Sequence, residues 1–576
     1  MVRAGPNRRP GRRWLWVIAL SGAFLARLGF GLLSDFWTED ERQVYLIGLA
    51  AHARGAWPYF GADIVWTQSR LPGALQGLLV GAPFRVLPIP EAPYLLLNVL
   101  SMGALCLLAW YLTRRLPELP PALLWAWLLS LPWTLNFSTH IVNTSYILPA
   151  AIVFFVGFFE AHPALSRGWL PARKAWFMMG AATLWMVQIH MSWVLLPPYL
   201  AAALWRARGG ARRILAHLGW WTAGAALVGS TLLPTIWRYG LAATGGAQQN
   251  LAPHLLSPGV LVSILARLLS FASYELNRFV GLSSARRLLL LSDNPWLIPL
   301  VAMVGLVGLA QPLALAGLWF RRRGPGPDWR AVKLTLLGTA LWVYGSYFFS
   351  VKEPLAHAFY VTLPVVVIYA AQCAAFASWS VRWRRWTAAA IVANALLHVG
   401  LAVARGPERS LYRRRWLVQQ AIGDREDRLL GERRRSPLLP AEPPASPRPV
   451  HEAALGEANP RADLKVLETR WTRAGFGLVS CFEARMRNRN RGLAYVDLQY
   501  LSRYSATDGA PLGSGRGVVK DILQPGESRA YRFADGLVRP GAEMGALEIV
   551  AAEPVLAAAT LGGGPTEGEP SGNDRP

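Results

Sequence analysis

The sequence predicts a mainly α, polytopic membrane protein of about eleven transmembrane helices with a small C-terminal β-sandwich domain. Three observations carry that prediction. Hydrophobic residues make up 53% of the 576 positions and charged residues only 16%, against about 25% charged in soluble domains. The net charge of +25 comes as short arginine runs between long apolar stretches; that is how topology is written in a membrane chain, and it removes the usual reason to infer a nucleic-acid partner. After residue 404 the long apolar stretches stop and short alternating runs take over.

Taken in order, residues 1–13 form a basic N-terminal segment, and candidate spans follow at 14–33, 93–112, 122–137, 146–159, 175–189, 191–205, 214–236, 296–320, 331–351, 358–379 and 386–404. The first is long and more spans follow it, so it reads as a retained span and not as a cleaved signal peptide. Charge supplies the parity. Of the 59 basic residues, 33 precede Arg405, together with only 12 of the 34 acidic ones. With the N-terminus inside, 22 of those 33 fall in the inner loops, as the positive-inside rule requires. The apolar stretch 72–87 would invert this parity if it crossed. It therefore reads as an amphipathic segment on the outer surface, with a Gly77-x-x-x-Gly81 spacing suited to close helix packing.

Beyond the spans, 405–460 reads as a surface helix and a Pro-rich linker, 461–556 as the β-sandwich with turns at Asp508-Gly509 and Pro525-Gly526, and 557–576 as a disordered tail. Parity puts the sandwich outside. Within it, Gly513-Ser-Gly-Arg-Gly517 reads as a turn, and the basic run 485–491 reads either as a solvated strand edge or as a surface for anionic lipid or glycan. Three cysteines are too few and too scattered for a disulfide framework or a zinc site. Only five of the 59 basic residues are lysine, the coding bias of a GC-rich bacterium, and the expected location is the inner membrane of such a cell.

The acids are the informative minority. Four of the twelve before Arg405 crowd the start of the first outer loop, in Ser34-Asp-Phe-Trp-Thr-Glu-Asp-Glu-Arg-Gln-Val-Tyr45, and residues 44–54 have helical apolar spacing. Carboxyls this close raise one another's pKa, and one so raised can act as a general base near neutral pH. The other reading is a solvated loop whose acids bias topology. Arg27, six residues from the outer end of the first span, either snorkels to the surface or pairs with these acids. Trp37, Trp57, Tyr59 and Trp66 form either an interfacial aromatic belt or sugar-stacking surfaces.

This loop resembles that of the membrane glycosyltransferases of the C superfamily (GT-C), in the branch holding protein O-mannosyltransferases, lipid A aminoarabinose transferases and lipopolysaccharide-core transferases. Three further stretches share the likeness. Gln68-Ser-Arg-Leu-Pro-Gly-Ala-Leu-Gln-Gly-Leu-Leu79 resembles the segment closing the same loop. Gly180-Ala-Ala-Thr-Leu-Trp-Met-Val-Gln-Ile-His-Met-Ser192 is similar to a Gly-Leu-Ala-rich helix, with His190 near the family's usual lysine. Lys352-Glu-Pro-Leu-Ala-His-Ala-Phe-Tyr-Val-Thr-Leu-Pro364 resembles the late His/Arg-x-x-Tyr-x-x-x-Pro stretch. The likeness covers 14–404, with the catalytic loop at 34–92.

The resemblance implies a sugar donor on a polyprenyl phosphate at the outer face and a lipid, glycan or protein acceptor whose hydroxyl is deprotonated by Asp40 or Glu41. Tyr45 is five residues from one and four from the other, so the spacing leaves the choice open. Inversion at the anomeric carbon is expected. A leaving phosphate calls for cations; His190, Arg278, Lys352 and His357 are the candidates, with Tyr360 a helical turn from His357. Interfacial lipid contacts, an ion pair with Glu353 and a hydrogen-bonded His357–Tyr360 pair are the structural readings of the same residues. No metal or cofactor motif is present: Glu39-x-Glu41 lacks supporting ligands and there is no Walker-type loop. Membrane lipids are the remaining expected partner. A transporter or flippase of polyprenyl-linked glycans would instead call for internal repeats and midplane polar residues, and a scaffold would make the β-domain the working part.

Overall fold

In the computed structural model the described residues are 13–34, 39–55, 57–64, 69–207, 210–240, 257–281, 283–350, 354–376, 379–409, 411 and 458–556. The surface helix expected over 408–435, the Pro-rich linker and the tail fall outside them, apart from the last turn of one long helix. The chain divides into two units: Met1–Val280 with Trp296–Arg414, and Gly281–Pro295 with Arg415–Pro576.

In the first unit, α1 (Arg13–Leu33) is followed by α2 (Glu39–Arg54), a hairpin of β1 (Phe60–Ile64) and β2 (Ser69–Pro72), and α3 (Leu75–Val86). At 12 residues, α3 is about 18 Å long and cannot cross a hydrocarbon core of about 30 Å. It packs on α2 through glycine: a methyl on Gly81 would lie 2.5 Å from the Gly48 carbonyl oxygen, and one on Gly77 2.5 Å from Pro58. The Gly77-x-x-x-Gly81 spacing therefore serves close packing. Tyr45 on α2 is buried, donates its hydroxyl to the Pro90 carbonyl at 3.0 Å and meets Phe84 and Tyr94 ring to ring.

Then come α4 (Ala92–Arg115), α5 (Pro121–Ser130), α6 (Pro132–Phe137), α7 (Ile147–Ala161), α8 (Ala172–Val187), α9 (Pro197–Arg206), α10 (Gly210–Gly229), α11 (Leu233–Tyr239), α12 (Pro258–Leu269) and α13 (Leu276–Val280). After α14 (Ser284–Asp293), which belongs to the second unit, follow α15 (Ile298–Trp319), α16 (Trp329–Ser346), α17 (Leu363–Ala374) and α18 (Val381–Arg409). Among the described residues five helices are long and apolar enough to cross a membrane: Trp14–Leu33, Ala92–Arg115, Pro295–Trp319, Ala356–Ala374 and Val381–Gly406. The α12–α13 pair, bent by 104°, makes a sixth if it counts as one span.

The other expected spans form helices that are shorter, broken or less apolar, and proline explains two of the breaks. Pro132 has no N–H and forces Leu131 out of the helical region (ψ 129°), splitting 122–137 into α5 and α6. The stretch 191–205 is a 3₁₀ turn, Met191–Leu195, followed by the ten-residue α9 that starts at Pro197.

Glycine also sets the α8–α10 crossing. A methyl on Gly180 would overlap the Trp221 carbonyl, and one on Gly224 the Phe177 carbonyl. Gly180→Ala is therefore expected to destabilise the purified protein by about 1–3 kcal/mol, read as a lowered Tm; an unchanged Tm would show that the two backbones are not in contact.

Where α4, α7 and α17 end and α16 begins, a buried ionic network ties the helices together. Arg115 donates to Asp328, to the Tyr111 hydroxyl (2.7 Å) and to the Leu165 carbonyl (2.6 Å). Asp328 also accepts from Arg167 (2.7 Å) and Gln372 (3.0 Å). Glu160 accepts from Tyr111 (2.8 Å), Ser166 (3.2 Å) and the Trp169 amide (3.0 Å). Two acids here face two arginines, so the buried charges balance.

The second unit is built on two antiparallel three-stranded sheets. One is β3 (Leu464–Ala474), β4 (Val479–Asn488) and β7 (Ser528–Leu537) in the order β3-β4-β7; the other is β5 (Leu493–Ser505), β6 (Pro511–Leu523) and β8 (Met544–Leu556) in the order β6-β5-β8. Their inner faces share one core that includes Met486, Tyr531, Tyr495, Leu498, Leu523 and Ile549. The turns at Gly509 (φ +84°) and Gly526 (φ +71°) fall at the expected dipeptides.

Two expectations are corrected. Gly513–Gly517 is not a turn but part of β6, and its alternate glycines leave room for larger groups: a methyl on Gly515 would meet Ser502 and Asp535, and one on Gly517 the Tyr500 hydroxyl. The space holds Asp535, which accepts from Ser502 and Tyr504; burial, then this carboxylate, pushes the Tyr504 hydroxyl up to about 12. Strand β4, which carries Arg485 and Arg487, is not an edge: it pairs with β3 on one side and β7 on the other. Its arginines are exposed while Ala484, Met486 and Asn488 alternate inward. Nor does the sequence hint that α14 joins this unit, packed along β7 with Asp293 bound to Arg532 at 2.8 Å.

Candidate functional site

At the opposite end of the helices from the Arg115 network, the end of α1, the 138–146 loop, the 3₁₀ turn Ala356–Thr362 before α17 and the last turns of α18 converge. The convergence begins with Arg27. The break at Leu131–Pro132 interrupts the hydrogen-bond ladder at the end of α5, and in an apolar setting the carbonyls it frees must be satisfied. Arg27 does so, donating to the Leu129 carbonyl (2.9 Å), the Thr134 hydroxyl (3.2 Å) and the Thr134 carbonyl (3.2 Å). It is 2% exposed, so it neither snorkels nor, among the described residues, pairs with an acid. Its Nε has no partner among the described residues.

Around it the polar groups are closely matched. Ser34, just past α1, donates to the Phe30 carbonyl and shares a 2.9 Å hydrogen bond with His140 Nε2, while His140 Nδ1 meets the Thr139 hydroxyl at 3.1 Å. His398 faces the Asn394 carbonyl through Nδ1 (2.8 Å), leaving Nε2 to accept from Asn136 (3.1 Å). Both imidazoles lie edge-on to Phe30, at 5.1 and 5.2 Å. Burial, then the charge of Arg405, holds His140 down to about 3, so it is neutral at physiological pH and serves as a fixed hydrogen-bonding group. Ser138 and the Tyr360 hydroxyl share a 2.6 Å hydrogen bond.

Phe137 is the hub for the residues singled out in the sequence. Tyr360 (5.6 Å), His357 (6.3 Å) and Phe279 (6.0 Å) all meet its ring. Tyr360 is buried and His357 half-buried, while Arg278, next to Phe279, is exposed. Glu275 fixes this arrangement: it pairs with Arg267 at 2.6 Å and accepts from the Ala356 amide at 3.2 Å, tying the bent α12–α13 pair to the 356–362 turn. His190 caps the 191–195 turn, accepting from the Ser192 amide at 3.1 Å, and that turn packs against 356–362. Four candidate residues from three distant parts of the chain thus stand on elements that meet at one turn. Asp40 and Glu41 are in the first turn of α2; their side chains, and Lys352 altogether, lie outside the described residues.

A cavity of about 690 Å³ leads up to this cluster between α1, α5 and α18. On α1 it runs from Leu15 to Phe30, about 22 Å at 1.5 Å per residue. Ala19, Ala23 and Ala26 line one stripe of α1, with Ala122, Ala126 and Ala395 opposite; their small side chains leave the space open. Arg27 and His398 supply its polar end.

The chain matches no family model and no curated protein. Among the described residues no group of three or more His, Cys, Asp or Glu side chains could hold a metal ion, and the three cysteines are free.

The sequence reading missed His140, His398, Ser138 and Glu275 as parts of this assembly. The signal for the first three was present, since polar residues inside or between apolar helices are costly and face the protein interior. Glu275 was visible only as one acid among twelve.

Proposed function

We propose that the protein is a membrane glycosyltransferase that moves a sugar from a polyprenyl-phosphate donor to a hydroxyl acceptor at the outer face of the membrane. The observation that carries this reading is the apolar groove along α1, α5 and α18, which ends on the buried Arg27. A long isoprenoid chain fits an alanine-lined channel about 22 Å long, and a cation held without an acidic partner among the described residues suits a phosphate brought to its upper end. In the reaction, Asp40 or Glu41 takes the proton of the acceptor hydroxyl, its oxygen bonds to the anomeric carbon, and the bond from that carbon to the phosphate oxygen breaks. The phosphate leaves with the electron pair, and displacement from the opposite face gives inversion. Arg278 and His357, on elements that meet near Phe137, are the further groups suited to the leaving phosphate. The N-terminus is then cytoplasmic and the β-domain extracytoplasmic.

The groove is tested by filling it. In vesicles supplied with a synthetic polyprenyl-phosphate sugar, Ala23→Trp is expected to raise the KM for a long-chain donor at least tenfold while leaving a short-chain, water-soluble donor within about twofold, because one ring blocks the chain and not the chemistry. Equal kinetics for both donors in wild type and variant would remove the groove from the reading, and absence of transfer from every polyprenyl-phosphate sugar tried would remove the reading itself.

A further inference from the structure

The turn joining β3 to β4 holds three successive residues in the left-handed region: Gly475 (φ +57°), Phe476 (φ +61°) and Gly477 (φ +80°). Glycine accepts this without cost, but phenylalanine does not. The strain does not bury the ring, for Phe476 is 59% exposed and Leu478 57%. Leu537, also 57% exposed, ends β7 opposite Val479, and the next amide, Val538, donates to the Leu478 carbonyl. Three large apolar side chains thus crown one end of the sandwich. At the other end, the β4–β5 turn presents Arg489 and Arg491. A backbone strained to expose an aromatic ring points to a surface that the ring enters.

The chain itself says what that surface is. The crown adjoins α14, since a methyl on Gly475 would sit 3.2 Å from Leu288. Helix α14 hangs between Val280, which ends the bent helix pair, and Pro295, which starts a span. Three residues on one side, 281–283, and one on the other, Asn294, reach at most about 14 Å, so this helix, and the part of the domain packed on it, is held beside the bilayer. Its first turn carries Arg286 and Arg287, while its one acid, Asp293, is bound to Arg532. Arginines beside exposed aromatic and aliphatic side chains suit a lipid headgroup layer. We propose that Phe476, Leu478 and Leu537 form a membrane-docking tip by which the C-terminal domain inserts into the surface of the bilayer that α14 borders. This is independent of the proposed enzymatic activity.

The test uses full-length Phe476→Cys, labelled with an environment-sensitive fluorophore and reconstituted into phosphatidylcholine–phosphatidylglycerol vesicles. Arg491→Cys marks the far end of the domain, and wild type, whose cysteines are buried or half-buried, gives the labelling blank. Brominated-tail lipids are expected to quench the label at 476 several-fold more than at 491, with blue-shifted emission at 476 only. Should Phe476→Cys not fold, Leu478→Cys gives the same readout. Equal quenching at the two ends overturns the proposal. So does a label at 476 open to aqueous iodide, or one shielded from iodide and bromolipid alike, the last pointing to a protein partner or a second copy.

Discussion

Asp40→Asn is expected to lower sugar transfer by roughly 10²–10⁴-fold, the usual contribution of a positioned general base. The loss should fall on kcat with little change in KM, because proton removal matters in the transition state and not in donor binding. Helix geometry separates the two candidate acids. Tyr45 is buried and bonded to Pro90, which fixes the rotation of α2. At about 100° per residue, position 41 is offset about 40° around the helix from Tyr45 and position 40 about 140°. Asp40→Asn should therefore cost more than Glu41→Gln. Full activity in both variants would sink the catalytic assignment, while a larger loss in Glu41→Gln would transfer the role to Glu41. Both outcomes are read in the same vesicle assay, with the short-chain donor used as a control for binding.

Arg115→Ala is expected to be the most destabilising single change in the helical unit, by about 3–5 kcal/mol, since it leaves buried carboxylates without a compensating charge. Arg115 and Glu160 are fully buried at the side chain and Asp328 is 4% exposed, so water cannot take over for the lost guanidinium. Arg167, 26% exposed, remains as the only other cation on Asp328 among the described residues. The double variant Arg115→Met with Asp328→Asn should be less destabilised than the two single changes added together, because removing both charges also removes the need for compensation. Thermal unfolding of the four proteins in detergent measures this directly. Strict additivity would mean that the two residues act separately and that the network is not a unit.

The division of the chain into a helical part and a later sheet part was legible because the two periods differ. Unbroken apolar stretches end near residue 404, and alternation with Gly turns begins near 464. The individual spans were less legible. Length and hydropathy locate an apolar stretch but do not reveal that Pro132 splits one helix in two, nor that the stretch at 72–87 stops after 12 residues. In the candidate site, spacing was enough to place His357 and Tyr360 on one turn, but not to show that the Tyr360 hydroxyl bonds Ser138. Ser34 with His140, and Asn136 with His398, are separated by 106 and 262 residues, and no local pattern reports such a pairing. The glycines at 513, 515 and 517 misled because glycine marks turns when its backbone freedom is used, whereas two of these serve by the side-chain volume they lack.

The sequence by itself determined that this is a membrane chain, where its long apolar stretches run, and that its scarce acids gather after the first helix. Each of these is a matter of composition or local period, and needs no partner to be read. Only the tertiary structure decided that Arg27 is buried against the break between α5 and α6, that Arg115 and Asp328 lock the far end of the helices, and that α14 belongs with the β-sandwich. The physical reason is the same in all three. A charge, a freed carbonyl or a half-apolar helix states only that it must be satisfied, and the group that satisfies it is chosen by packing between residues far apart in the chain.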